Sequence, residues 1–147
     1  MKNTLPAIII DLDGTLANID ERRNQLWKTN DWGGFRKGIE RDKLNFWCKE
    51  IIEKFKVEYK IVLLTGRDSS CLKDTENWLE DNNIHWDELH CRKLDDYRKD
   101  AVVKEEIYTQ LLKDKYEILF VVDDRQSVVD MWRSLKLICL QCDYGNF

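Results

Sequence analysis

The sequence predicts an α/β fold, a doubly wound, Rossmann-like parallel sheet with helices on both faces. Three apolar runs, at 7–10, 60–64 and 118–122, have the composition of strands that are buried on both faces. Segments with apolar residues at helical spacing alternate with these runs, which is typical of this fold class. The length of 147 residues suits one hydrophobic core. We therefore expect a single domain over 1–147.

The helices and the remaining strands are predicted from their apolar patterns. Four segments place apolar residues at the spacing that gives a helix one buried face. They lie at 43–56, 71–79, 103–111 and 128–135. Two shorter apolar segments, 89–93 and 137–141, are weaker strand candidates.

The stretch 17–41, between the first strand and the first helix, is polar and too long for an ordinary connection. We expect it to be irregular and to form a small cap over one edge of the sheet. Residues 22–43 carry seven basic and three acidic side chains, a net charge of +4, whereas the whole chain carries −4 and the remainder therefore −8. A basic cap on an acidic body favours an anionic ligand that is bound locally. The alternative is a solvated surface with uneven charge.

Three aromatic residues, Trp27, Trp32 and Phe35, lie in this stretch. Their rings could stack on nucleobases. They could also form a small hydrophobic core of the cap, and we favour that interpretation.

Two acidic residues directly follow the first strand. Asp11 and Asp13 are separated by one residue, so both side chains project to the same side if the chain stays extended. Gly14 permits a sharp turn after them. Two ionised carboxylates this close repel each other, so that either one pKa rises or a cation binds between them. The alternative interpretation is an ordinary acidic turn.

The other two buried strands also end in polar motifs. Thr65 and Gly66 follow the second strand, where a hydroxyl and backbone N–H groups can bind phosphate oxygens. Asp123 and Asp124 follow the third. Ligands of parallel sheets bind beyond the carboxyl ends of the strands, so the three motifs converge at one edge. Together with Lys104, they supply the groups that a magnesium-dependent phosphate hydrolase uses.

Together these motifs resemble those of the haloacid dehalogenase superfamily of phosphotransferases. The longer strings at 98–106 and 122–133, with the ending at 145–147, resemble the phosphatase half of bacteriophage polynucleotide kinase-phosphatase and its stand-alone relatives. The resemblance implies a sheet of the haloacid dehalogenase type with a cap inserted after the first strand, and Mg²⁺ as the cofactor. It also implies an end-repair enzyme that removes 3'-phosphates from DNA or RNA ends through an aspartyl-phosphate intermediate.

The resemblance implies a role for each motif residue. Asp11 would be the nucleophile, and Asp13 would be the general acid and base. Arg22 matches an arginine that binds the substrate phosphate, although the adjacent Arg23 is an alternative counterpart. The catalytic residues would be Asp11, Asp13 and Lys104; the phosphate-binding residues Thr65, Gly66, Arg67, Arg22 and Asp100; and the metal ligands Asp11, Asp13 (through its backbone carbonyl), Asp123 and Asp124.

Two other functions remain open. A nucleotidase or another small-molecule phosphatase, acting for instance on a mononucleotide, would use the same motifs and differ only in the cap. A signalling receiver domain also phosphorylates an aspartate near a threonine, a lysine and an acid pair, but there the acid pair closes the first strand. Here Asp13 lies two residues after Asp11, which favours an enzyme that turns over.

Partners and location are expected from what the sequence lacks. It contains no Gly-x-x-x-x-Gly-Lys-Ser/Thr loop, so any kinase or ligase activity is expected on another chain. No apolar run approaches the ~20 residues of a membrane helix, and 1–6 is too short and polar for a signal peptide. We expect a cytoplasmic protein without a membrane partner.

The five cysteines form an odd set without the spacing of a disulfide framework. Cys139 and Cys142 have the spacing of a redox or zinc pair, but residues three apart in a strand face opposite sides. We therefore expect no function from this pair. His85 and His90 have no ligand spacing and are expected to be surface or packing residues.

Overall fold

The computed structural model describes residues 3–146, so that Phe147, the last residue of the C-terminal motif, lies outside the described residues. The strands in chain order are β1 (Leu5–Ile10), β2 (Ala17–Asn18), β3 (Lys43–Leu44), β4 (Lys60–Asp68), β5 (Glu88–Arg92), β6 (Tyr116–Arg125) and β7 (Cys139–Gly145). The helices are α1 (Asp20–Thr29), α2 (Trp32–Lys37), α3 (Phe46–Phe55), α4 (Leu72–Asp81), α5 (Asp100–Ile107) and α6 (Gln126–Ser134). Helix α5 continues as a wider π-helical turn over Tyr108–Leu112.

Five of the strands form one parallel sheet in the order β5-β4-β1-β6-β7. The chain builds the sheet outward from β1 to β5, and then returns to the other side of β1 with β6 and β7. This order confirms the predicted doubly wound, Rossmann-like fold. In such sheets the ligand site lies where the strand order reverses, which here is the carboxyl end of β1.

The register of the three central strands brings their polar motifs together. Ile10 pairs with Leu63 of β4 and with Val122 of β6. The backbone N–H of Asp11 donates to the carbonyl oxygen of Val122 at 3.0 Å. The residues that follow these three positions therefore emerge at the same edge of the sheet.

Two hydrophobic cores lie on the two faces of the sheet because alternate residues of β1 point in opposite directions. Ile8 and Ile10 pack in one core with side chains of α3 and α4, which include Ile52 and Trp78. Ala7 and Ile9 pack in the other core with side chains of α6, among them Val128 and Trp132.

The expectation of an irregular stretch at 17–41 is wrong, because this part of the chain forms two helices, α1 and α2. The sequence pattern of α1 does not indicate a helix, because it has no apolar stripe. The only buried residues of this helix are Arg22 and Leu26. The helix ends at Asn30, which adopts the left-handed conformation that stops helices.

The other predicted elements are confirmed, with shifted ends. The helix predicted at 43–56 begins at Phe46, because Lys43–Leu44 pairs with β2 in a two-stranded ribbon. The strand predicted at 137–141 begins at Cys139 and continues to Gly145. The segment at 89–93 forms β5.

The structure confirms the predicted placement of the cysteine pair. Cys139 packs in one core and Cys142 packs against the other, so the two thiols lie on opposite faces of the sheet. All five cysteines are free. His85 and His90 each contact a nearby acidic side chain. Among residues 3–146, no helix combines the length and the apolar character needed to cross a bilayer.

The core prediction concerns Trp78, which is 1% exposed and donates its indole N–H to the carbonyl oxygen of Asp42 at 2.9 Å. We expect Trp78→Ala to lower the free energy of unfolding by about 3–5 kcal/mol, because it opens a cavity. Urea denaturation measures this change. The matched control is Trp27→Ala, whose side chain is 71% exposed and whose effect should stay within about 0.5 kcal/mol. Equal effects of the two variants would contradict this description of the core.

Candidate active site

A buried ammonium group lies among carboxylates at the carboxyl edge of the sheet. Lys104 of α5 is 1% exposed, and its Nζ lies 2.8 Å from Oδ1 of Asp11 and 3.0 Å from Oδ2 of Asp123. Asp100, one helical turn earlier, lies 3.7 Å from the same nitrogen. Lys104 thereby joins the ends of β1 and β6 to the helix that covers them.

Burial and mutual repulsion set the protonation of this cluster. Burial and the charge of Asp123 raise the pKa of Asp11 well above its ordinary value, although Lys104 opposes the rise. Burial and Asp123 also raise the pKa of Asp124. Burial alone would lower the pKa of Lys104, but Asp11 and Asp123 raise it well above the ordinary value. The acidic neighbours of Lys104 therefore favour its charged form.

The cluster fits a divalent cation. Asp11, Asp123 and Asp124 each offer a carboxylate oxygen, and these oxygens lie within 4.8 Å of one another. Four carboxylates, those of the three aspartates and of Asp100, lie with two cations, Lys104 and Arg92, so a cation with two charges would balance them. Carboxylate oxygens are ligands that Mg²⁺ prefers. A bound cation would also hold Asp11 in its ionised form.

Gly14 allows the backbone to turn against Asp124. Its φ is +83°, a conformation that side chains rarely adopt. A Cβ at this position would lie 2.1 Å from Oδ2 of Asp124. The next residue, Thr15, donates its hydroxyl to Oδ2 of Asp11 at 3.2 Å, which fixes the carboxylate of Asp11 from the side away from Lys104.

Asp13 faces a second group of charges, formed by two arginines. Nε of Arg67 lies 3.1 Å from both carboxylate oxygens of Asp13, and Nη2 of Arg67 also contacts Asp13. Arg22 donates to Oδ1 of Asp13 at 2.9 Å and binds Asp42 through two nitrogens, at 2.6 and 2.7 Å. Arg67 further donates to the hydroxyl of Thr75 at 3.0 Å.

The pKa values of the two acids of the first motif therefore shift in opposite directions. Burial would raise the pKa of Asp13, but the guanidinium groups of Arg67 and Arg22 lower it to about 2. The pKa of Asp11 moves in the opposite direction. Each carboxylate of the motif thus has its own cationic partners, Lys104 for Asp11 and the arginines for Asp13.

The predicted site residues lie along one cleft of about 520 Å³, a volume within the usual range for small-ligand sites. Lys104 lies beneath the cleft rather than in its wall. Arg22 and Arg23 both line the cleft, and Arg22 contacts Asp13. The predicted residues in the wall are Asp11, Asp13, Arg22, Thr65, Gly66, Arg67, Asp100, Asp123 and Asp124.

The expectation that Trp27 and Trp32 form a core of the cap is wrong. Trp27 is 71% and Trp32 is 56% exposed, and both line the cleft. Only Phe35 packs inward, against the core beneath the cap. It lies under the guanidinium of Arg22, whose Cζ is 4.5 Å from the ring centre.

Arg92 is a site residue that sequence reasoning missed. Its Nε donates to the carbonyl oxygen of Gly66 at 2.6 Å, and Nη2 donates to Asp100 at 3.3 Å. Nη1 donates to the carbonyl oxygens of Asp96 and Arg98 at 3.0 and 2.7 Å. The only signal in the sequence was its position at the carboxyl end of a weak strand candidate.

Comparison with known proteins gives a family match and a similar sequence. Residues 5–147 match the family described as the polynucleotide kinase PNKP phosphatase domain. A protein of Autographa californica nuclear polyhedrosis virus, named as an inferred bifunctional polynucleotide kinase/RNA ligase, is 30% identical over 137 residues. That match covers 89% of this chain and 18% of the viral protein.

Solved structures give the same picture. One chain of a Pnkp1/Rnl/Hen1 complex matches with a TM-score of 0.86 at 34% identity, over 100% of this chain and 49% of that chain. A chain of a Pnkp1/Rnl/Hen1 RNA repair complex matches with a TM-score of 0.87 at 35% identity, over 100% and 45%. A haloacid dehalogenase-like hydrolase from Streptococcus pneumoniae shares the fold, with a TM-score of 0.67 at 17% identity over 96% and 86%. This chain thus spans about half or less of the first three relatives.

The first prediction for the site is a pH dependence of stability that comes from Asp13. Its pKa is lowered in the folded protein, so its contribution to stability is present above about pH 4 and is lost as the pH falls towards about 2. In metal-free protein, wild type should exceed Asp13→Asn in free energy of unfolding by on the order of 2 kcal/mol at about pH 5, with the difference shrinking below about pH 4. Urea denaturation over this range measures it.

The control for the loss of one negative charge is Asp20→Asn, which changes an exposed acid of the cap. Measured at each pH, it separates the loss of the ion pairs of Asp13 from the general loss of one negative charge. A pH-independent difference between wild type and Asp13→Asn would contradict the pairing of Asp13 with the two arginines.

The second prediction concerns Arg92. Arg92→Lys keeps the positive charge, but one ammonium cannot replace the four bonds to Gly66, Asp96, Arg98 and Asp100. We expect kcat/KM for hydrolysis of a phosphate monoester to fall by about 10²-fold, because the phosphate-binding backbone is displaced. Arg98→Lys, at an exposed neighbouring position, is the control and should lose much less. Equal activity of the two variants would exclude the positioning role of Arg92.

Proposed function

We propose a function from one premise: the chain belongs to the family of polynucleotide kinase PNKP phosphatase domains, and is therefore a phosphatase of the haloacid dehalogenase type. We propose that it removes 3'-phosphates from polynucleotide ends, using Asp11 as nucleophile and Mg²⁺ as cofactor. The observation that carries the proposal is the position of Asp11, which lies on the floor of a cleft with Lys104 and Thr15 fixing its two carboxylate oxygens.

The metal would be held by the carboxylates of Asp11, Asp123 and Asp124 and by the backbone carbonyl of Asp13. When bound, Mg²⁺ would neutralise charge on the transferring phosphoryl group. Lys104 reduces the repulsion between Asp11 and Asp123, which keeps Asp11 available as a nucleophile.

In the first half of the reaction, a carboxylate oxygen of Asp11 forms a bond to phosphorus while the bond from phosphorus to the 3'-oxygen breaks. Asp13 gives a proton to the departing 3'-oxygen. For this, Asp13 must first hold a proton, although Arg22 and Arg67 favour its ionised form. Both arginines line the cleft, so phosphate oxygens of the substrate would compete with Asp13 for them and let its pKa rise.

In the second half, water attacks the phosphorus of the aspartyl phosphate and Asp13 takes up the proton of that water. The phosphorus–oxygen bond to Asp11 breaks, which releases inorganic phosphate and regenerates the carboxylate. Asp13 is then protonated for the next cycle. Thr65 and the backbone N–H groups beside Gly66 would bind phosphate oxygens throughout.

A polynucleotide substrate is supported by the family and by the names of the relatives. The viral relative is named for polynucleotide kinase and RNA ligase activities, and one structural relative belongs to an RNA repair complex. We propose that RNA ends are substrates and that kinase or ligase activities act beside this phosphatase. The sequence itself contains no Gly-x-x-x-x-Gly-Lys-Ser/Thr loop for a kinase.

The test compares four substrates: 3'-phosphorylated RNA and DNA oligonucleotides, a 3'-mononucleotide and a 5'-mononucleotide. We expect the highest kcat/KM for a 3'-phosphorylated oligonucleotide, loss of activity in a chelator, and recovery with Mg²⁺. The control is Asp11→Asn, which should abolish turnover without lowering the melting temperature, because it removes a buried negative charge that Asp123 repels. A preference for either mononucleotide would replace the proposal with a nucleotidase.

A further inference from the structure

We propose that the rim of the cleft contains a subsite that stacks on the nucleobase at the 3' end of the substrate strand. The subsite is formed by Trp27 and Trp32 of the cap and by Tyr97 of the loop between β5 and α5. The inference rests on the proposed function, because it names the part of the polynucleotide that the cleft holds next to the phosphate.

Exposure of the three rings is the first observation. Trp27, Trp32 and Tyr97 are 71%, 56% and 85% exposed, and all three line the same cleft as Asp11. Exposed apolar surface that is concentrated at a cleft is typical of ligand sites. Aromatic rings bind single-stranded nucleic acid by stacking, since every base has a π face.

The second observation is that Trp32 is fixed relative to the phosphate end of the cleft. The ring of Trp32 packs edge to face on that of Phe35, with 5.8 Å between the ring centres. Arg22 covers the other ring and donates to the carbonyl oxygen of Phe35 at 3.2 Å. Because Arg22 also binds Asp13, a short series of contacts connects the exposed indole of Trp32 to the carboxylate of Asp13.

The third observation is the charge around the rings. Arg23 and Arg36 line the cleft beside the tryptophans. The field of Arg36 reaches across to the loop, where it opposes the rise in the pKa of Tyr97 that the hydrogen bond to Asp95 causes. Cationic side chains beside aromatic rings suit a strand whose bases stack and whose phosphodiesters are anionic.

The experiment is a double-mutant cycle between the protein and the substrate. Two 3'-phosphorylated oligonucleotides are compared, one complete and one with an abasic sugar at the 3' end. We expect Trp27→Ala and Trp32→Ala to raise KM for the complete oligonucleotide about tenfold, the scale of one base–aromatic stack. For the abasic oligonucleotide, the KM of each variant should stay within about twofold of wild type. Trp32→Phe keeps an aromatic ring, so its KM for the complete oligonucleotide should be close to that of wild type.

The matched control is Trp47→Ala, at an exposed tryptophan outside the wall of the cleft. It should leave both KM values unchanged. If the tryptophan variants raise KM equally for both oligonucleotides, the rings act as a lid over the site and the proposal of a stacking subsite is wrong. If they change KM for neither oligonucleotide, the rings have another role, such as a protein contact, and the proposal is also wrong.

A binding measurement separates this inference from the proposed function. Oligonucleotides with a 3'-hydroxyl are titrated into Asp11→Asn, and quenching of tryptophan fluorescence is followed. We expect quenching by the complete oligonucleotide and little quenching by the abasic one. The quenching should decrease when Trp32→Ala is combined with Asp11→Asn, and should be lost when Trp27→Ala is combined as well. Absence of hydrolysis by wild type would overturn the proposed function alone. Equal quenching by the complete and the abasic oligonucleotide would overturn the subsite.

Discussion

The contact of Lys104 with Asp11 and Asp123 is the interaction on which the site depends. Three carboxylates emerge within 4.8 Å of one another from adjacent strands, and nearly all of their surface is buried. Carboxylates in such a place repel each other and lose hydration, a cost that is several kcal/mol per uncompensated ion. Lys104 is buried on the side of the cluster away from the cleft, and its ammonium compensates one of these charges. The side of the cluster that faces the cleft therefore remains available to a cation and a phosphate.

A second set of charges attaches the cap to this cluster. Arg22 lies on α1 and binds Asp13 on one side and Asp42, which follows the cap, on the other. Arg67 binds Asp13 from the end of β4. The cap is therefore joined to the body by buried ion pairs as well as by apolar packing. The arginines that hold it also line the cleft. Entry of an anionic substrate would rearrange the same contacts that position the cap.

The fold could be predicted because its information is local: buried strands have apolar runs, and helices such as α4 have one apolar face. The motif residues could be placed at one edge because parallel strands end there, and the structure brings them together. The helices of the cap could not be predicted, because α1 buries an arginine that groups remote in sequence stabilise. The role of Arg92 was missed for the same reason. It binds mainly backbone carbonyl oxygens, and these partners cannot be recognised from residue types. The opposite pKa shifts of Asp11 and Asp13 depend on partners that are remote in sequence.

The central claim is that the carboxylate of Asp11 accepts the phosphoryl group. A crystal structure of the protein with Mg²⁺ and beryllium fluoride tests it most directly, because this fluoride mimics a phosphoryl group on a nucleophilic oxygen. We predict beryllium bonded to a carboxylate oxygen of Asp11, with Mg²⁺ beside it on Asp123 or Asp124 and a fluorine near Lys104. Beryllium fluoride bonded to another side chain, with Asp11 unmodified, would contradict the account.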